Sequence, residues 1–203
     1  MSKILEWKIN GSLLQFEETN HAYYYNGVRC PSVTQVLAYL YPDKYKGVSK
    51  ETLDNASKRG TAIHNAIELY EKFGVELDEI EELDNYIKLK EKNDFSVIMS
   101  EIPVVIRYKD MCICGRLDEI VKEDNETGIA DIKATYELDR DYLISQTNLY
   151  RLGVHQCYDF KIDFLRGIHL RKKVKKYVAL PIQEDRAYEI LEKYYENVFK
   201  KEK

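Results

Sequence analysis

No stretch of this 203-residue chain holds an apolar run of the length a membrane span requires. The opening Met1-Ser2-Lys3 leads into no signal peptide, so a soluble cytoplasmic protein without membrane contacts is expected. Cysteine is sparse: Cys30, Cys112, Cys114 and Cys157 form no C-x-x-C pair. Such spacing excludes a zinc or iron–sulfur set and predicts reduced thiols rather than disulfides. There is no P-loop, hence no nucleotide cofactor is expected. Nor is there an excess of positive charge. The formal net charge is −4, which by itself does not suggest a nucleic-acid binder. What the chain does have is enough apolar material, 44% of its residues, to bury one good core, and one domain is the default for this length.

Charge is distributed unevenly. From Glu68 to Asp84 there are eight acids against one lysine, whereas from Lys161 to Lys176 seven Lys or Arg stand against Asp163. A phosphate backbone could lie along the second segment and would avoid the first. A solubilising basic hairpin explains the same charges equally well.

The most informative stretch runs from Gly115 to Lys133. Met111 to Val121 reads as a strand, Glu123 to Gly128 as its turn, and Ile129 to Ala134 as the returning strand. Side chains alternate across a sheet, so Asp131 and Lys133 share one face and Ile132 takes the other. In the simplest hairpin register Asp118 lies near Asp131. Two like charges so close repel and raise one pKa unless a cation neutralises them, and a divalent ion is the economical answer. The competing reading of Asp131 and Lys133 is a solvated edge pair worth little.

Other elements follow from local signals. Leu14–Phe16 and Ala22–Tyr25, with the turn pair Asn26-Gly27, predict an N-terminal hairpin. Ser32 with Gln35 resembles a capping box opening a helix to about Leu40. Ser49 is a plausible N-cap for a helix running to Phe73, stopped by Gly74. Helices are also expected over 78–92, 139–153 and 183–201. Strands are expected over 96–108, 160–170 and 176–180, the last two joined by the basic turn Arg171-Lys172-Lys173.

Three further features carry chemistry. In GTAIHNAIE, Gly60 and His64 are four apart and stack on one helical face, which Glu68 extends, while Ile63, Ile67 and Tyr70 form the adjoining apolar stripe. A mid-helix glycine costs about 1 kcal/mol relative to alanine, and close approach of another backbone or of a DNA strand would account for it. A lone histidine beside an apolar stripe also suits a purely structural role. Gln146 and Tyr150, four apart in QTNLY, can both bond a phosphate or a base, or serve simply as a polar neighbour and an aromatic anchor. Glu101 lies inside an apolar strand, either as a further metal ligand or as an outward residue near the strand's solvated start.

Taken in order, Gly60 to His64, Gly115 to Asp118, Asp131 to Lys133 and Gln146 to Tyr150 resemble the G-x-x-x-H, G-x-x-D, D-x-K and Q-x-x-x-Y motifs of the RecB-type branch of the PD-(D/E)XK nucleases. The matched region runs from about residue 55 to 155, and the size is similar to that of small phage-encoded exonucleases. The resemblance implies an α/β (α+β) fold with a restriction-endonuclease-like core: a central mixed β-sheet flanked by helices. It makes 1–203 one nuclease domain, with an N-terminal hairpin and helix over 1–45 as decoration, a catalytic core over about 55–180 and a closing helix over 183–201. It further implies that Asp118, Asp131, the Ile132 carbonyl and His64 hold Mg²⁺ or Mn²⁺, with Glu101 a candidate addition. Lys133 would orient the attacking water. Gln146, Tyr150, Gly60 and the turn Arg171-Lys172-Lys173 would bind substrate.

The implied activity is a metal-dependent DNA exonuclease of phage recombination or repair, placed in the host cytoplasm if phage-encoded. DNA is its expected partner, with a homo-oligomer or a single-strand annealing or recombination protein as the source of processivity. The iron–sulfur cysteines of some RecB-like relatives are missing here. Alternative readings are a nicking or flap-cutting endonuclease of the same fold and a non-catalytic nucleic-acid-binding protein.

Overall fold

Two sheets and five helices make up the computed structural model, which describes residues 3–201; Met1 and Ser2, at the start read as lacking a signal peptide, lie outside them. The fold is α+β. A four-stranded antiparallel sheet, β1 (Ile4–Ile9), β2 (Ser12–Glu17), β3 (Ala22–Tyr25) and β4 (Val28–Cys30), runs in order β1-β2-β3-β4. The expected hairpin is therefore half of a larger sheet. Its missed turn is Asn10-Gly11, whose φ of +51° and +78° match Asn26-Gly27 at +50° and +78°, the left-handed pair that a tight hairpin demands.

The helices α1 (Val33–Leu40) and α2 (Lys50–Phe73) begin at Ser32 and Ser49. Ser32 Oγ accepts the Gln35 amide at 3.1 Å and the Gln35 side chain accepts the Ser32 amide at 2.8 Å, a complete capping box. Gly74 ends α2 at φ +68°. Next, α3 (Glu81–Asn93) starts later than its acidic lead-in predicts, behind Ile80, which supplies no side-chain cap.

A five-stranded sheet follows in order β5 (Phe95–Tyr108), β6 (Met111–Glu123), β7 (Glu126–Lys133), β8 (Phe164–Arg171) and β9 (Val174–Leu180). All neighbours are antiparallel except β7 and β8, whose parallel pairing is bridged by α4 (Arg140–Cys157). That helix passes the expected stop at Gly153. A Cβ there would lie 2.9 Å from Val104, so the glycine serves close packing on β5 rather than termination. The last helix, α5 (Glu184–Asn197), leads into a short 3₁₀ turn. Among the described residues no helix is long and apolar enough to cross a membrane.

Helices cover both faces of the larger sheet. On one face Ile63 and Ile67 of α2 with Leu83, Tyr86 and Leu89 of α3 pack on Val121, Ala130 and Ile132, and Tyr70 sits at the margin of that cluster. On the other, α1, α4 and α5 cover Ile129, Leu165 and the middle of β5 and β6. The ordering of β5 breaks near its start. Pairing slips between Val97↔Val121 and Met99↔Ile120, a bulge that leaves both Ile98 and Met99 on the surface. The N-terminal sheet docks on β6, where the Cys114 amide donates to the Pro31 carbonyl at 2.9 Å. Dispersed in sequence, the cysteines gather at that junction: Cys30 and Cys114 are buried, with Cys112 and Cys157 packed against them.

Candidate metal centre

The strands β5, β6 and β7 deliver the acids. Between the ladder pairs Ser100↔Glu119 and Ile102↔Leu117, Glu101 on β5 faces Asp118 on β6. Its backbone adopts φ +55°, a conformation that costs a side-chain-bearing residue about 1–3 kcal/mol and persists only where the surroundings enforce it. One position beyond the pair Glu119↔Ala130, Asp118 Oδ2 accepts the Ile132 amide of β7 at 2.6 Å. From α2, His64 Nδ1 approaches Asp118 Oδ1 at 3.4 Å. Ligand atoms of His64, Glu101 and Asp118 all lie within 4.8 Å of one another.

Electrostatics mark the same three residues. Burial depresses the His64 imidazole, but the Asp118 carboxylate facing it more than reverses this and lifts its pKa to about 9. Burial raises Asp118 in turn, and the opposed His64 outweighs that to hold it below the usual carboxylate range. Glu101 is pushed up to about 7, first by burial and then by the neighbouring Asp118 charge. Arg116 offsets part of this, with Nε 2.6 Å from Glu101 Oε2. An imidazole and two crowded carboxylates form a nitrogen and oxygen donor set of the kind that can hold a divalent cation.

Asp131 behaves differently. It shares its strand face with Lys133, as the alternation requires, and its carboxylate is engaged in an ion pair with that ammonium. The Asp131 side chain is only 2% exposed, against 14% for Asp118 and 17% for Glu101. It stands behind Lys133 rather than on the cleft wall. Burial raises its pKa to about 6 against the opposing pull of Lys133. The converging donors therefore include Glu101, while Asp131 is ion-paired with Lys133 and still near enough to Asp118 for that charge to raise its pKa as well. The Ile132 backbone N–H is fixed by its hydrogen bond to Asp118 Oδ2, with the Ile132 side chain in the opposite core cluster.

A cleft of about 810 Å³ gathers Gly60, His64, Glu101, Asp118, Lys133, Gln146 and Tyr150 along its walls. The Gln146 amide donates to the Tyr150 hydroxyl at 3.4 Å, while Gln146 Oε1 is buried with no partner among the described residues. Gly115 lets the Tyr150 ring approach, since a Cβ there would lie 2.9 Å from Tyr150 Cε1 and 3.1 Å from Val33 Cγ2. Gly60 is not explained by a neighbouring backbone, for nothing lies within 4 Å of where its Cβ would be; it opens on the cleft instead. The basic turn Arg171-Lys172-Lys173 is outside this cleft and lines a separate groove of about 530 Å³.

Two groups of residues escaped the sequence reading. Arg116 was legible in principle, since a residue two before Asp118 on a strand shares its face. The second group comes from the N-terminal sheet, where Phe16, His21 and Tyr23 form one wall of the cleft and make that sheet part of the site rather than decoration. Only tertiary docking brings them there.

No protein-family model matches the chain, and no curated protein does. Among solved structures it is similar to that described as "Crystal structure of SSO0001", with a TM-score of 0.48 and 14% identity over 79% of this chain and 72% of that one.

Proposed function

We propose that this chain is a divalent-metal-dependent phosphodiesterase that degrades DNA from an end, a nuclease of the PD-(D/E)XK type. The observation that carries the reading is the convergence of His64, Glu101 and Asp118 in a cleft whose adjoining wall presents Lys133. Strand order supports the likeness as well: three antiparallel strands, a crossover helix and a parallel strand follow α2 and α3.

When bound, a divalent ion would polarise the phosphate and lower the pKa of its water. The protein's own groups do the rest. His64, Glu101 and Asp118 would hold the ion. Burial disfavours the charged form of Lys133, but the Asp131 and Asp118 carboxylates outweigh this and raise its pKa, so it stays an ammonium at neutral pH. That makes Lys133 a poor general base and a good electrostatic partner for charge developing on the phosphate. Asp131 holds that ammonium in place. Tyr150 would offer its hydroxyl to position the strand, with the Gln146 amide donating to that hydroxyl and fixing it.

Incubation with Mn²⁺ of end-labelled linear DNA and of a covalently closed circle tests the proposal. Loss of the linear form alone supports attack from an end. Loss of the circle assigns an endonuclease to the same site, and no loss of either removes the phosphodiesterase reading.

A further inference from the structure

Lys133 lines two depressions at once. One is the cleft of the candidate metal centre, and the other is a groove of about 530 Å³ that also contains Lys44, Tyr45 and Tyr142. Tyr136 then forms a wall shared by that groove and the one holding Arg171, Lys172 and Lys173. Three adjoining depressions thus form a single path from the metal site to the basic turn.

The lining has the character of a polynucleotide track. Tyr45 is 53% and Tyr136 76% exposed, so both rings present surface that a base can cover. The Arg171 guanidinium sits 4.2 Å from the centre of the Tyr136 ring, and its Nη1 donates to the Tyr136 carbonyl at 2.9 Å, so the ring is braced from one side. Lys44 is laid over Tyr142, 3.0 Å from the ring centre. Carboxylates are present, yet Glu82 is paired with Arg59, and Asp139 caps α4 and pairs with Lys44. Glu137 lines the groove of Lys44 and Tyr45, no carboxylate but Glu82 lines the groove of Arg171, Lys172 and Lys173, and neither lysine is ion-paired among the described residues. Asn85 fixes this turn by donating to the Arg171 carbonyl at 2.9 Å.

We infer that a single-stranded polynucleotide runs from the metal site past Lys133, stacks bases on Tyr45 and Tyr136, and places phosphates against Lys172 and Lys173. Exposed rings alternating with cations are what sequence-tolerant single-strand binding uses, because every base has a face to stack and every phosphate a charge. Each groove has the volume of a small-molecule pocket, room for a nucleotide or two rather than a duplex. This path rests on the reading of the cleft as a phosphodiesterase site, but it can be tested without turnover.

Fluorescence anisotropy in EDTA would compare labelled dT4, dT12, rU12 and a 12-base-pair duplex on the whole chain. Expected are tighter binding of a 12-mer than of the 4-mer and weak binding of the duplex. The Tyr45→Ala/Tyr136→Ala variant should bind the 12-mer at least about tenfold more weakly. In Lys172→Ala/Lys173→Ala the salt slope for the 12-mer should fall by about one to one and a half. Both variants should weaken the 4-mer less than the 12-mer and unfold at the wild-type temperature, since the four side chains are exposed. Preference between dT12 and rU12 reports which sugar the path accepts. Equal 12-mer affinity in wild type and both variants, or tighter binding of the duplex, overturns the inference. If wild type hydrolyses nothing with Mn²⁺ yet shows this pattern, the track stands and the phosphodiesterase reading fails.

Discussion

Glu119 is next to Asp118 on β6, yet it belongs to the interior. It is 1% exposed, and its Oε1 lies 2.7 Å from the Tyr86 hydroxyl, which is also 2.9 Å from Glu71 Oε1. Tyr86 has one proton for two carboxylates. Glu71 is paired with Lys90 at 2.6 Å, whereas Glu119 has no ion-pair partner among the described residues. Burial, against the opposing Tyr86 bond, lifts the Glu119 pKa from 4.5 to about 8. An acid whose folded pKa is raised adds no cost below its unfolded value. The cost grows between about 4.5 and 8 and is constant above that. Glu119→Gln keeps an acceptor for Tyr86 and cannot ionise. Each pKa unit is worth about 1.36 kcal/mol, so the substitution should stabilise the fold by roughly 3–5 kcal/mol more at pH 9 than at pH 5. For a chain of this size that corresponds to about 6–20 °C in Tm. Thermal or urea unfolding of both proteins at the two pH values measures it. A stability difference that does not change between pH 5 and pH 9 would refute a buried, proton-bearing Glu119.

Further predictions concern the site. Lys133→Ala should abolish hydrolysis while leaving DNA affinity within a few-fold of wild type, because its charge acts mainly in the transition state; parallel cleavage and filter-binding assays separate the two. Protons compete with the metal at His64, near 9, and at Glu101, near 7. Calorimetric Mn²⁺ affinity should therefore climb about 100-fold per pH unit below 7, about tenfold between 7 and 9, and level off above. A pH-independent affinity would exclude those residues as ligands. Gly115→Ala should cost about 1–3 kcal/mol by forcing Tyr150 and Val33 apart, measured by denaturant unfolding, and should reduce hydrolysis as Tyr150 shifts.

Much of the fold was written in local signals. Ser32 with Gln35, Ser49 and Gly74 mark their helix ends because capping involves only neighbours in the chain, and the order of helices and strands follows from apolar periodicity. Gly153 misled for a related reason. A glycine near a helix end signals a stop unless a packed strand makes it necessary, and Val104 is 49 residues away in sequence. The bulge after Val97 is equally silent, since an extra residue in one strand is defined only by its partner.

The candidate site divides along the same line. The amino-acid sequence alone determined which residue types stand at which spacing: His64 one turn from Gly60, Asp131 and Lys133 on one strand face, Gln146 one turn from Tyr150. Those relations depend only on helix and strand repeats. Tertiary structure decided which acid joins His64 and Asp118. Glu101 faces Asp118 because β5 lies beside β6 in this register, a relation no local repeat contains. It also brought the N-terminal sheet to the cleft and set Tyr136 between Lys133 and the basic turn, since contacts between distant segments follow from packing and not from local repeat.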